Sequence, residues 1–278
     1  RIWVASSNYA EDLRIDYTIL EQHAEAYRKI RNTFRYLLGN LNDNFSKVNF
    51  ENLEIKDLPE LEQYMLHKIY LLDENFHKNF NLYTFHNLYK ELLNFCTVDL
   101  SAFYFDVRKD TLYCDPINSE KRKGCIILLN VILNALTKWF APILSFTTEE
   151  IYQLVNKKNK SIHLEKFLDF PDHFENKDLN KKWKELIDIR NKCNISIEEK
   201  RAQKEIGSSL EAELNINLNN KLKNLTEKID FAELCITSKA TINYGNSDEV
   251  SVSTKKASGK KCPVCWKINV EPCSRHST

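Results

Sequence analysis

TILEQHAEAYRKIRNTFRYLLGNL, residues 18–41, places apolar side chains at three- and four-residue steps. Ile19, His23, Ala26, Ile30, Phe34, Leu37 and Leu41 therefore share one side of a helix and form a core-facing stripe. Thr18-x-x-Glu21 fits a capping box, in which hydroxyl and carboxylate each accept an orphan N–H of the first turn. Gly39-Asn40 marks the predicted end. Off this stripe lie Arg28, Arg31 and Arg35, again three and four residues apart and bordered by Lys29 and Tyr36. Their fork-shaped donors suit phosphates; the same spacing suits ion pairs with acids on a neighbouring helix.

The pattern repeats downstream. Leu61, Met65, Ile69, Leu72, Phe76 and Phe80 follow Pro59, and Phe85, Leu88, Leu92 and Phe95 define a helix over about 84–98. Residues 99–118 read as irregular connection, and 122–140 as an apolar helix that stops before Pro142. Thr147-x-x-Glu150 then caps a helix carrying Ile151, Leu154 and Val155. The fold class is mainly α: an antiparallel helical bundle over 19–175, entered by an extended lead-in over 1–18 with Trp3 and Tyr9. Loops are expected at 156–160 and around Pro171. Helical periodicity resumes from Lys181 to about Leu214, perturbed near Ser196-x-x-Glu199. A charged helix over 217–229 and strand-like stretches at Phe231–Ile236 and Glu249–Val252 make 176–245 a small α+β junction before a tail, 246–278.

That tail carries Cys262-x2-Cys265-x7-Cys273-x2-His276. Two residues between ligands let a tight turn aim both at one ion, and four S/N donors favour one structural, tetrahedral Zn²⁺ with no position left for a catalytic water. So short a terminus has little core, so the metal supplies much of its folding energy. Trp266 is expected to pack beside the site as apolar support, and Lys260, Lys261 and Lys267 line its rim. A redox pair of Cys262 and Cys265 is the alternative, weakened because no βαβ pattern surrounds it. Cys96, Cys114, Cys125, Cys193 and Cys235 stand singly among apolar residues, as small core side chains do.

Net charge is only +1 over 278 residues, so a polyanion would have to be met by local concentrations of basic residues. One is the Arg28/Arg31/Arg35 stripe. Another comprises Lys181, Lys182, Lys184, Arg190, Lys192, Lys200, Arg201 and Lys204, with Trp183 for base stacking, although Glu185, Glu198, Glu199 and Glu205 reduce its field. Five glycines cannot assemble a phosphate-binding loop or a nucleophile elbow, and the histidines form no catalytic constellation. Starting at Arg1 with Met65 as its single methionine, the chain reads as part of a longer polypeptide. No run of about 18 apolar residues is seen, so no membrane partner is expected, and unpaired cysteines suit a reducing cytoplasm.

Several stretches resemble one family. Trp3-Val-Ala-Ser-Ser-Asn-Tyr9, Asp12-Leu-Arg-Ile15 and Tyr27-Arg-Lys-Ile-Arg-Asn-Thr-Phe-Arg35 are similar to bacterial isoleucyl-tRNA synthetases, class I aminoacyl-tRNA synthetases, where the catalytic domain leads into anticodon-binding helices. The similarity continues in Asp99-Leu-Ser101, Asp106-Val-Arg-Lys-Asp-Thr-Leu-Tyr113 and Ala141-Pro-Ile-Leu-Ser-Phe-Thr-Thr-Glu-Glu150. It returns at Arg190, Glu199, Arg201, Lys204, Ile206-Gly-Ser-Ser-Leu-Glu-Ala212 and the Cys-x-x-Cys-Trp tail. The resemblance implies a tRNA(Ile)-recognition part, with Arg28, Arg31, Arg35, Trp183, Arg190, Arg201, Lys204, Lys260 and Lys261 toward RNA. The catalytic and editing domains of the same polypeptide, with ATP and Mg²⁺, would lie elsewhere. Valyl- or methionyl-type synthetases, or a zinc-stabilised interaction scaffold, are the alternatives. The family's usual tail has four cysteines and a longer insert; here the insert is seven residues, the last ligand is His276, and Val264 stands where arginine is frequent.

Overall fold

The computed structural model describes residues 1–41, 45, 53–156 and 160–276. Of the loop expected at 156–160, residues 157–159 lie outside the described residues. Two compact units are present. The first comprises Arg1–Phe105 and Pro116–Asn176, the second Asp106–Asp115 and Lys177–Thr278.

The first unit is helical: α1 (Ile2–Ser6), α2 (Tyr17–Leu41), α3 (Glu60–Asn81), α4 (Phe85–Asn94), a π-helical continuation (Phe95–Phe105), α6 (Glu120–Phe140) and α7 (Ser145–Val155). The lead-in is thus not wholly extended, since Ile2–Ser6 is helical. The α2 stripe is buried from Ile30 through Phe34 and Leu37 to Leu41, whereas Ile19, His23 and Ala26 are only half-buried. Asp16, not Thr18, caps this helix: its Oδ1 accepts the Ile19 N–H at 2.7 Å. Thr147 likewise sits inside α7 and bonds the Tyr27 hydroxyl at 2.9 Å. The region read as irregular connection is helical as far as Cys114.

At the centre runs α6, which ends at Phe140, two residues before Pro142. By length and composition it could cross a membrane, contrary to expectation, but it is mostly buried among the other helices, as the core helix of a bundle would be. Trp139 is fully buried, stacks near Phe76 at 5.9 Å, and donates its indole N–H to Asp73 Oδ1 at 3.1 Å. Phe140 meets Phe34 edge-on at 6.1 Å.

Two glycines separate helix propensity from packing. A Cβ on Gly124 of α6 would sit 2.5 Å from Cδ of the rigid Pro59 ring, whereas one on Gly39 of α2 would meet nothing within 4 Å. Gly124→Ala is expected to destabilise the first unit by about 1–3 kcal/mol through overpacking. Gly39→Ala should instead stabilise it by about 0.5–1 kcal/mol, by removing backbone freedom. Urea midpoints of the two variants test this opposition of sign.

In the second unit α5 (Asp106–Cys114) and α8 (Lys177–Ala202) accompany a three-stranded sheet of order β2-β1-β3. Helix α8 stops at Ala202 and β1 spans Ala212–Asn219, so the helix does not reach Leu214. β1 pairs in parallel with β2 (Lys239–Gly245) and antiparallel with β3 (Ser251–Lys256). The charged helix expected over 217–229 is confined to α9 (Lys223–Thr226) and a preceding 3₁₀ turn. Phe231–Leu234 is helix α10, not strand, because the Asp230 carboxylate accepts the N–H groups of Ala232 and Glu233. Ala212, Leu214, Ile216 and Leu218 alternate inward from β1 and are buried. The fold is thus mainly helical with a small C-terminal sheet region.

Candidate metal centre and nucleic-acid surface

The tail closes on a two-residue hairpin, β4 (Lys260–Lys261) with β5 (Ile268–Asn269). Gly259 opens it at φ +126°, and a Cβ there would fall 2.1 Å from the Asn269 carbonyl oxygen, so only glycine fits. The Cys262 N–H donates to Lys267 O at 2.9 Å, and the Trp266 N–H returns to Cys262 O at 3.0 Å. This turn holds Trp266 at φ +64° and aims Cys262 and Cys265 the same way.

Ligand atoms of Cys262, Cys265, Cys273 and His276 all lie within 4.8 Å of one another. Cys262 Sγ is 3.6 Å and Cys273 Sγ 3.4 Å from His276 Nδ1, while Cys265 Sγ is 3.9 Å from Cys273 Sγ. Four soft donors facing a common centre can hold one metal ion. The Cys262 thiol is lowered to about 6 because the N–H groups of Cys265 and Val264 point at its sulfur. Burial pushes Cys265 up to about 11. Burial would lower His276, but the Cys114 carbonyl and the two thiols beside it raise it.

The outer contacts fix the imidazole. His276 Nε2 lies 3.2 Å from Cys114 O, so with Nδ1 turned to the sulfurs Nε2–H donates to that carbonyl. Next to it Arg275 pairs with Asp110 at 2.7 Å and Asp115 at 3.6 Å. Ser238 Oγ accepts the Ile268 N–H at 2.6 Å and donates to Leu210 O, tying the hairpin to the sheet. Cys114, Asp110 and Ser238 thus support the centre from distant sequence, and nothing in their spacing announces it. Trp266 does not pack as apolar support: it is 58% exposed, with Lys261 Nζ 5.0 Å from its ring centroid.

The candidate RNA residues separate into surface and interior. Arg28, Arg31 and Arg35 are exposed on α2. Arg28 pairs with Glu25 at 2.8 Å, and Arg31 reaches Glu150 at 3.4 Å and the Tyr27 hydroxyl at 3.2 Å. Arg201 and Lys204 are exposed at the end of α8, Arg201 pairing with Glu198 at 2.7 Å, and Lys260 and Lys261 are exposed on the hairpin. Trp183 and Arg190 are not on the surface. Trp183 is 3% exposed, leaving no ring face for a base, and Arg190 is 9% exposed with its Nε donating to Leu234 O at 2.9 Å. Both lie on the inward face of α8 with Leu186, Cys193 and Ile197.

Residues 62–216, from α3 into β1, match the family described as the anticodon-binding domain of tRNA ligase. An isoleucine–tRNA ligase of Pelagibacter ubique is 67% identical over 277 residues, covering 100% of this chain and 31% of that protein. Those of Zymomonas mobilis and Bartonella henselae are 38% and 37% identical, each over 96% of this chain and 28% of theirs. The chain therefore spans about a third of the length of these curated relatives. With more than half of its residues inside the family match and that match running through the helical bundle, the chain belongs to the anticodon-binding domain family of tRNA ligases.

Proposed function

We propose that the chain is the tRNA(Ile)-recognition part of an isoleucine–tRNA ligase, the enzyme that attaches isoleucine to its tRNA using ATP. The observation that carries this reading is the 67% identity to an isoleucine–tRNA ligase along the whole chain. In that reading ATP, Mg²⁺, bond-making and editing belong to other parts of the same polypeptide in the cytoplasm. This portion seats the anticodon arm, and remote binding of this kind helps position the acceptor end for reaction. Arg28, Arg31, Arg35, Arg201, Lys204, Lys260 and Lys261 are the exposed groups suited to its phosphates.

The metal in this reading is one structural Zn²⁺ on Cys262, Cys265, Cys273 and His276. Tetrahedral zinc with its usual bond lengths sets sulfur–sulfur separations of about 3.8 Å and sulfur–nitrogen separations of about 3.6 Å. Three of the cluster's separations, 3.9, 3.6 and 3.4 Å, match these values, and all four donors lie within 4.8 Å of one another. Zinc would supply a closed four-ligand crosslink. The chain's own residues orient it, through the Cys114 carbonyl on His276 and the backbone N–H groups around Cys262.

A tRNA(Ile) transcript titrated into the purified chain tests the reading. Binding is expected to weaken linearly in log–log form as salt rises, and pyrophosphate exchange to be absent. Failure to bind at low ionic strength, by protein that is folded and loaded with zinc, would overturn it. Arg31→Ala should reduce the salt slope by about one, as loss of a phosphate contact does. Its pair with Glu150 is exposed, so the thermal midpoint should barely move.

A further inference from the structure

We propose that the outward face of the β2-β1-β3 sheet contacts the ribose–phosphate backbone of a base-paired RNA stem, an inference that rests on reading the chain as a tRNA-binding part. Helix α8 packs on the inward side through β1 and β3, where its Ser196 meets Thr254 at 2.7 Å. The outward side carries no apolar or aromatic side chain. Register arranges it in three rows across the strands.

The middle row is Thr241–Asn215–Ser253, two hydroxyls flanking an amide. Among the described residues, none of these three side chains has a hydrogen-bond partner. One neighbouring row, Asn243–Asn217–Ser251, is internally bonded at 3.1 Å for each contact. The other is Lys239–Glu213–Lys255, where both ammonium groups share Glu213 Oε1 at 3.4 and 3.5 Å. Two lysines on one carboxylate leave a positive charge. The lysine side chains are 65% and 64% exposed, free to turn outward, while Glu213 is only 15% exposed.

The face itself carries Lys239 and Lys255 against Glu213, a net positive charge. Its strands β2 and β3 lie within a basic stretch: residues 236–278 hold seven Lys or Arg against three Asp or Glu. A patch about 10 Å across its strands and about 13 Å along them is large enough for a short run of backbone. Its unpartnered hydroxyls and amide donate and accept at once, as a 2′-hydroxyl does, and its lysines match phosphates. It offers no ring on which an unpaired base would stack. Paired RNA, whose shallow groove displays 2′-hydroxyls and phosphates, fits this chemistry better than an open loop.

Fluorescence anisotropy on the full chain tests the assignment, using the anticodon-arm hairpin of tRNA(Ile), its 2′-deoxy counterpart and an unpaired RNA of equal length. Lys239→Gln/Lys255→Gln should lower the hairpin salt slope by about two. Asn215→Ala/Ser253→Ala should weaken hairpin binding about tenfold, leaving the salt slope and the 2′-deoxy hairpin unaffected. If both variants, folded by circular dichroism, bind the hairpin like wild type while Arg31→Ala weakens it, the sheet face is bare solvated surface and the tRNA reading stands. Equal losses on the unpaired RNA would also overturn the proposal. If the unsubstituted chain binds none of these RNAs, the tRNA reading falls and the sheet assignment falls with it.

Discussion

Replacing Cys262 or Cys273 by serine should release about one metal ion per chain and unravel residues 259–276, while the helical signal of α2, α3 and α6 persists. The hairpin strands are two residues each, and from residue 259 onward the tail buries little beyond Cys262 and Cys265. Structural zinc contributes about 10–16 kcal/mol of apparent binding energy in small peptides, far above what such a hairpin gains by packing. Loss should therefore be local and nearly complete. Metal analysis with hydrogen exchange checks it: amide protection at Trp266 and His276 should vanish, and protection in α6 should remain. Retention of stoichiometric zinc by either variant would refute the ligand set.

The second large effect is expected at Glu233. Arg108 Nη1 donates to Glu233 Oε1 at 2.7 Å, with the two side chains 5% and 16% exposed, and Thr111 donates to the same oxygen at 3.3 Å. Taking Glu233 away removes the carboxylate that Arg108 and Thr111 share in a desolvated place. Glu233→Ala should accordingly destabilise the second unit by about 3–5 kcal/mol. The double replacement Arg108→Met/Glu233→Leu should recover much of that loss, since a packed apolar pair avoids the desolvation cost. Urea unfolding followed through the buried Trp183 measures both. A single variant that melts like wild type would mean that Arg108 is hydrated after all.

The Cys/His cluster and the bundle stripe were the most legible features. Ligand spacing alone brings Cys262 and Cys265 onto one turn, and Ile30, Phe34, Leu37 and Leu41 advance at helical steps into the core. Boundaries were less legible, because capping is a competition between neighbours. Asp16 wins over Thr18 with the stronger, charged acceptor. β1 illustrates a period overrun: Leu214, Ile216 and Leu218 alternate strictly, yet helical reading carried past Ala202 conceals them. Trp183 and Arg190 read as surface groups by residue type, while their three- and four-residue steps with Leu186 and Cys193 place them inward. A face such as Thr241–Asn215–Ser253 could not be read at all, because it exists only once three separate segments pair.

The second unit draws residues 106–115 from the middle of the chain and everything else from residues 177–278. Its long-range ties span 125 residues between Arg108 and Glu233, and 165 between Asp110 and Arg275. On a ribosome, α5 would emerge well before the partners that neutralise and cover it. Vectorial synthesis therefore leaves this unit unfinished until Glu233 and Arg275 have been made, and a chain stopped between α5 and Glu233 would expose a charged helix without these partners.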